Sequence, residues 1–91
     1  MKYRTNKAFE LKDIGGELLL IPGGASTVDY NFVTVFNETG ALIYRAMEDY
    51  VDSQTLAQLL VQTYGIDLQE ATADVEAYLS KMLAENMIEA Q

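Results

Sequence analysis

The stretch FNETGALIYRAM, residues 36–47, is where the sequence changes from a strand pattern to a helix pattern. Asn37 stands where a helix N-cap is expected, and apolar residues at helical spacing follow it. A glycine in the first turn costs about 1 kcal/mol relative to alanine, so Gly40 predicts that another group closely approaches the backbone there. The inward stripe of this first helix is predicted to be Leu42, Ile43, Ala46, Met47 and Tyr50.

Before this stretch, the pattern is that of a three-stranded antiparallel meander. Residues 8–14 alternate, residues 17–21 are mostly apolar, and Gly15 and Gly16 between them suit a two-residue hairpin turn. The register of that turn pairs Asp13 with Leu18, Leu11 with Leu20 and Phe9 with Pro22, which places Phe9, Leu11, Leu18 and Leu20 on the core face.

The third predicted strand spans residues 28–36, with sequence VDYNFVTVF, and lies at the edge of the meander. Alternation places Tyr30, Phe32 and Thr34 on one face and Asn31, Val33 and Val35 on the other. An edge strand has backbone N–H and C=O groups that pair with no strand of its own sheet. We therefore expect this edge to be open in the free protein.

After this stretch, two further helices are predicted. Ser53 is expected to cap the second helix and Gly65 to end it, and Asp67 with Glu70 resembles the start of a third helix that Asn86 ends. The inward residues are predicted to be Leu56, Leu59, Leu60 and Tyr64 in the second helix, and Ala71, Val75, Tyr78, Leu79, Met82 and Leu83 in the third. The tail is expected to return Met87 and Ile88 to the core.

These elements predict an α+β fold, a three-stranded antiparallel meander followed by a three-helix, winged-helix-like bundle. The 91 residues, 49% of them hydrophobic, suffice for one small domain over residues 1–91. The longest apolar run, LLLI at 18–21, is much shorter than a membrane span, and the N-terminus lacks a signal-peptide core. We expect a cytoplasmic protein without membrane contact.

The composition argues against catalysis. The chain has no cysteine and no histidine, which removes disulfides, thiolate metal sites and the most common general base. The carboxylates fall on predicted helix surfaces without an accompanying base or nucleophile. An enzyme is therefore the least favoured class, and no cofactor is expected.

The charge distribution argues against nucleic-acid binding. Residues 1–12 carry a net charge of +3 and the rest of the chain carries −11. The predicted third helix has four acidic residues, Glu70, Asp74, Glu76 and Glu85, against the single cation Lys81. Phosphate would repel such a helix. A winged-helix DNA-binding regulator remains the alternative to the function favoured below.

Three segments resemble the PqqD family of pyrroloquinoline quinone biosynthesis, whose fold is also the recognition element of ribosomally made, post-translationally modified peptides. They are VFNETGALIYRAM at 35–47, TLAQLLVQTYGID at 55–67 and DVEAYLSKMLAENMI at 74–88, and the resemblance extends over about residues 8–89. The family usually has glycine where this chain has Asn86, and asparagine also tolerates left-handed φ. It also usually has a glycine turn between its first two helices, where this chain has EDYVDSQT.

The resemblance implies a non-catalytic module that binds the leader segment of a precursor peptide and presents it to a modifying enzyme, often a radical-SAM enzyme. It implies that the leader adds a strand beside the third strand, in the groove between that strand and the third helix. The peptide-binding residues implied in this way are Tyr30, Asn31, Phe32, Val33, Thr34, Val35, Val75, Tyr78, Leu79 and Met82.

The implied contacts on the third helix also have an ordinary structural interpretation. An apolar helical stripe such as Tyr78, Leu79 and Met82 is usually core, but the three span too wide an arc for all to point inward equally. We expect one or two of them to line the groove. Leu19 and Ile21 on the outer face of the sheet leave a homodimer conceivable.

Overall fold

The computed structural model describes residues 1–15, 17–22 and 34–91, with the backbone alone for residues 22, 34 and 35. Its described elements form an α+β fold, as predicted, with antiparallel strands and three helices. In chain order they are β1 (Lys2–Thr5), β2 (Phe9–Ile14), β3 (Glu17–Pro22), β4 (Thr34–Phe36), α1 (Glu38–Ala46), β5 (Val51–Asp52), α2 (Ser53–Tyr64), α3 (Leu68–Ala84) and β6 (Ile88–Ala90).

The predicted meander is present as the sheet β2-β3-β4, with β3 in the middle. The hairpin register is the predicted one, from Ile14 opposite Glu17 to Phe9 opposite Pro22. Gly15 has φ +63°, the left-handed conformation that a tight hairpin turn requires. Leu20 is fully buried, and Phe9 and Leu11 pack against the core, which confirms the predicted core face for these three residues.

The third strand of the meander is described over Thr34–Phe36 only, whereas the sequence predicted residues 28–36. Residues 28–33 lie outside the described part of the chain. The described pairs are Leu18 with Phe36, Leu19 with Val35 and Leu20 with Thr34.

A second sheet, in the order β5-β1-β6, was not predicted. Its centre is β1, which pairs antiparallel with β5 and with β6. The Arg4 side chain of β1 makes two contacts at this sheet. Its Nε lies 3.0 Å from Glu89 Oε2, and its guanidinium carbon lies 4.8 Å from the centre of the Tyr50 ring. The hydrogen bond that Arg4 donates to the Glu89 carboxylate is the main reason that the pKa of Arg4 lies above its usual value.

The start and end of α2 differ in part from prediction. Asp52, and not Ser53, is the N-cap, because its carboxylate accepts a hydrogen bond from the Thr55 N–H at 2.8 Å and thereby lowers the pKa of Asp52. Leu56 and Leu60 are buried as predicted. Tyr64 was predicted to point inward, but at the end of the helix it is 42% exposed. Gly65 ends the helix with φ +69°, as predicted.

The third helix and the tail follow the prediction. The Asp67 side chain accepts from the Glu70 N–H at 2.7 Å and caps α3. Asn86 adopts φ +59° directly after the C-cap of this helix, the left-handed conformation expected there. Met87 and Ile88 are only 3% and 4% exposed, so the tail does return to the core.

The core joins one residue of the meander to all three helices and the tail. Its buried members are Leu20, Ile43, Tyr44, Met47, Leu56, Ala57, Leu60, Ala71, Val75, Leu79, Met82, Met87 and Ile88. Tyr44 and Ala57 were missing from the predicted stripes. In the described part of the chain, no helix combines the length and apolar character that crossing a membrane would take.

Candidate functional site

The hydrogen-bonding directions of β3 follow from the hairpin that precedes it. In a hairpin with a two-residue loop, the residues that flank the loop exchange backbone hydrogen bonds. Ile14 and Glu17 are that pair, so the backbone groups of Glu17 point to β2. The directions of the backbone N–H and C=O groups alternate along a strand, so those of Leu18 and Leu20 point to β4.

The same alternation fixes the outer edge of β4. Phe36 and Thr34 stand opposite Leu18 and Leu20, so these two residues bond to β3. Val35 lies between them, and its N–H and C=O point to the other side of the strand. Among the described strands, none pairs with β4 on that side. Val35 therefore presents a donor and an acceptor that an added strand can use.

The junction between β4 and α1 is held by one side-chain oxygen. Asn37 Oδ1 accepts from the Gly40 N–H at 2.8 Å, which caps α1 as the sequence predicts. The same oxygen also accepts from the Tyr78 hydroxyl at 2.9 Å. Asn37 thus ties the start of α1 to the middle of α3.

Gly40 is the place where these elements come closest. A Cβ atom at Gly40 would lie 3.2 Å from each of three atoms, Asn37 Oδ1, Phe36 Cδ1 and Tyr78 Cε1. This close approach confirms the prediction made from a glycine in the first helical turn. The Phe36 ring also packs against the Tyr44 ring, with 5.4 Å between ring centres. We refer to Phe36, Asn37, Gly40, Tyr44 and Tyr78 as the junction cluster.

The predicted α3 residues divide by burial. Val75, Leu79 and Met82 are 0%, 4% and 1% exposed and belong to the core, so they offer almost no surface to a ligand in this conformation. Tyr78 is half-buried and reaches both the core and the surface. Of the predicted strand residues, Thr34 and Val35 are described by their backbone, and residues 30–33 lie outside the described part of the chain.

The functional interpretation of the sequence left out Phe36 and Gly40 and treated Asn37 mainly as a cap. The sequence contained a signal for two of them, since a cap followed three residues later by glycine already predicted a close approach. The contact with Tyr78 had no such signal, because it joins residues 41 positions apart. Only the packing of α3 across the junction brings them together.

We expect replacement of Asn37 by alanine to lower the free energy of unfolding by about 1–2 kcal/mol, mainly because it removes the oxygen that caps α1. Chemical denaturation measures this loss. Asn37→Asp, which keeps an oxygen at both hydrogen bonds, is the matched control and should retain most of the stability. An alanine variant as stable as the wild type would show that the junction does not depend on Asn37.

The described surface does not suggest metal chemistry at this site. Within residues 1–15, 17–22 and 34–91, no three or more Asp, Glu, His or Cys side chains are grouped so as to hold a metal ion. The junction cluster consists of aromatic rings, one amide and a glycine. Such a set can pack against apolar groups and can donate and accept hydrogen bonds.

Comparison with known proteins gives two matches. The family model described as coenzyme PQQ synthesis protein D (PqqD) matches residues 19–88. Among solved structures, a chain described as lasso peptide synthetase B1 complexed with the leader peptide has a similar fold, with a TM-score of 0.77. That match has 19% sequence identity and covers 99% of this chain and 100% of the other. No curated protein matches the sequence.

Proposed function

The chain belongs to the PqqD family, and on this premise we propose that it is a non-catalytic module that binds the leader segment of a ribosomally made precursor peptide. The module presents the bound leader to a modifying enzyme. The solved structure with a similar fold is of a protein complexed with a leader peptide, which is consistent with the proposal. The whole of residues 1–91 acts as the binding unit.

The observation that carries the proposal is the outward direction of the Val35 backbone groups. A peptide that adds as a strand needs an edge with free donors and acceptors, and its own main chain supplies the complementary groups. Main-chain pairing gives affinity for many sequences, while pockets beneath alternate side chains give specificity. In this proposal the leader pairs beside β4, with residues 30–33 extending the contact.

The side chains next to this edge come from the junction cluster. Phe36 ends β4, and Tyr78 lies against Gly40 at the start of α1. We define the edge groove by the outward backbone of Val35 and the half-buried side chains of Phe36 and Tyr78. In our proposal the apolar side chains of the leader pack against these two rings. Val75, Leu79 and Met82 support the groove from the core.

The chemistry belongs to the partner enzyme, which we propose to be a radical-SAM enzyme. Iron–sulfur clusters are held by cysteine thiolates, and this chain has no cysteine, so those ligands come from the partner. The module contributes binding and orientation of the peptide. We place it in the cytoplasm, where the precursor is synthesised.

Direct binding tests the proposal. Synthetic peptides tiling the short open reading frames that adjoin this gene are titrated into the protein, and amide exchange is followed at β4. We expect saturable binding by one peptide and slower exchange of the Val35 N–H in the complex. Duplex DNA of random sequence is the control, and the exposed acidic side chains Glu70, Asp74 and Glu76 of α3 should prevent its binding.

Oligomeric state is measured in the same samples. A second copy that paired at the β4 edge would occupy the position proposed for the leader, so added peptide should separate such a dimer. If no tiled peptide binds, or if DNA binds and peptide does not, the leader-binding proposal fails.

A further inference from the structure

We propose that Tyr78 is a positioning residue for the bound peptide, and that its hydrogen bond to Asn37 sets the width of the edge groove. This inference rests on the proposed function. Through this hydrogen bond, the hydroxyl of Tyr78 holds α3 at a fixed distance from the end of β4. Its loss should weaken peptide binding without a comparable loss of stability.

Tyr78 is held at two places by different elements. Its hydroxyl donates to Asn37 Oδ1 at 2.9 Å, and Asn37 directly follows the last residue of β4. Its Cε1 atom lies close to Gly40 of α1, since a Cβ atom added to Gly40 would be only 3.2 Å from Cε1 and would require a neighbouring atom to shift. The ring therefore has one favourable place, and that place depends on both contacts.

A purely structural role does not explain the hydroxyl, because its hydrogen bond is exposed. Water can replace an exposed partner at little cost, so this bond adds little to the free energy of unfolding. The contrast is Tyr44, whose hydroxyl donates to the Met87 carbonyl at 3.4 Å in a buried position. A binding site gains from such a bond in another way, since a ring already in place lowers the entropy lost when a ligand binds.

The test compares Tyr78→Phe with Tyr44→Phe, using the tiled peptide that binds the wild type. Tyr78→Phe should raise the Kd about 3- to 10-fold, the range expected from one hydrogen bond, and should leave the Tm almost unchanged. Tyr44→Phe, which keeps the ring against Phe36 and loses only the bond to the Met87 carbonyl, should lower the Tm more than Tyr78→Phe does and raise the Kd less. This opposite pattern separates positioning from structural support.

Substitutions at Asn37 provide the matching rescue. Asn37→Asp keeps an acceptor for Tyr78 and should keep the wild-type Kd. Asn37→Ser keeps a capping oxygen on a shorter side chain, so it should lose the hydrogen bond from Tyr78 and raise the Kd as Tyr78→Phe does. The double variant Tyr78→Phe with Asn37→Ser should bind no more weakly than either single variant, because both remove the same bond.

A readout in the free protein keeps this inference separate from the proposed function. In the wild type, protons on Cε1 of Tyr78 should show strong nuclear Overhauser contacts with the α protons of Gly40, and Tyr78→Phe should weaken them. If the contacts are equal in both proteins, or if the Kd values are equal while the wild type binds peptide, the positioning role of Tyr78 is overturned. Absence of peptide binding by the wild type overturns the proposed function instead.

Discussion

Replacement of Met82 by alanine should lower the free energy of unfolding by about 2–5 kcal/mol, the cost of removing a buried methionine side chain and leaving a cavity. Met82 is 1% exposed and lies among the buried residues of α3 and the rest of the core. A small domain is stable by only about 5–15 kcal/mol, so the loss is a large part of the total. Peptide affinity of the folded fraction should stay nearly unchanged.

Chemical denaturation and peptide release rates, measured on the same samples, check this expectation. Met82→Leu nearly conserves volume and provides a folded variant should the alanine variant unfold. Ser80→Ala is the surface control on the same helix, because Ser80 is exposed and its change should be almost neutral. Faster peptide release from Met82→Ala, with stability retained, would place Met82 in the groove and not in the core.

The local parts of the fold could be predicted because their signals lie close together in the sequence. Two adjacent glycines fix the hairpin turn, and a period-2 pattern then determines which residues face each other. The caps at Asn37 and Asp67 and the left-handed ends at Gly65 and Asn86 are each decided within a few residues. The structure has the predicted hairpin register, these two caps and both left-handed ends.

The second sheet could not be predicted, because its strands are short and its partners are distant. Tyr3 pairs with Val51 on one side and with Ala90 on the other. Strands of two to four residues have no visible alternation, and their stability comes from pairing rather than from local preference. The choice of Asp52 over Ser53 as a cap has a similar basis, since both residues suit that position.

For the candidate site, the sequence predicts the apolar stripe on α3 but not which of its residues reach the surface. The predicted inward stripe is present on α3, but neighbouring residues within it differ in how far they are buried. Tyr78 lies about 100° around the helix from Leu79, which is enough to move it from the core to the surface. The contact between Tyr78 and Asn37 depends on how α3 packs across the junction. No short-range pattern contains that information.

Val35→Pro should have the largest effect on peptide binding. Proline removes the N–H that points to the outer edge of β4, and its ring occupies space where an added strand would approach. The lost hydrogen bond accounts for about 0.5–1.5 kcal/mol, and the ring disrupts the pairing on either side of it. We therefore expect affinity to fall by more than about tenfold.

The fold should tolerate this proline because of the same geometry. Edge strands accept proline where the replaced N–H faces away from the sheet. Thr34→Pro is the matched comparison, since the Thr34 N–H points to β3 and its loss breaks the pairing with Leu20. That variant should lose stability, whereas Val35→Pro should retain most of it.

Val35→Ala separates the backbone effect from the side chain, because it keeps the N–H. Isothermal titration with the peptide that binds the wild type gives the affinities, and thermal melting gives the stabilities. If Val35→Pro binds as tightly as Val35→Ala, the leader does not pair with this edge. If Val35→Pro unfolds while Thr34→Pro remains stable, the hydrogen-bonding directions of β4 are the reverse of those derived from the hairpin. Strand addition would then use the N–H groups of Thr34 and Phe36, and the proline scan would locate the edge by the position that spares the fold and abolishes binding.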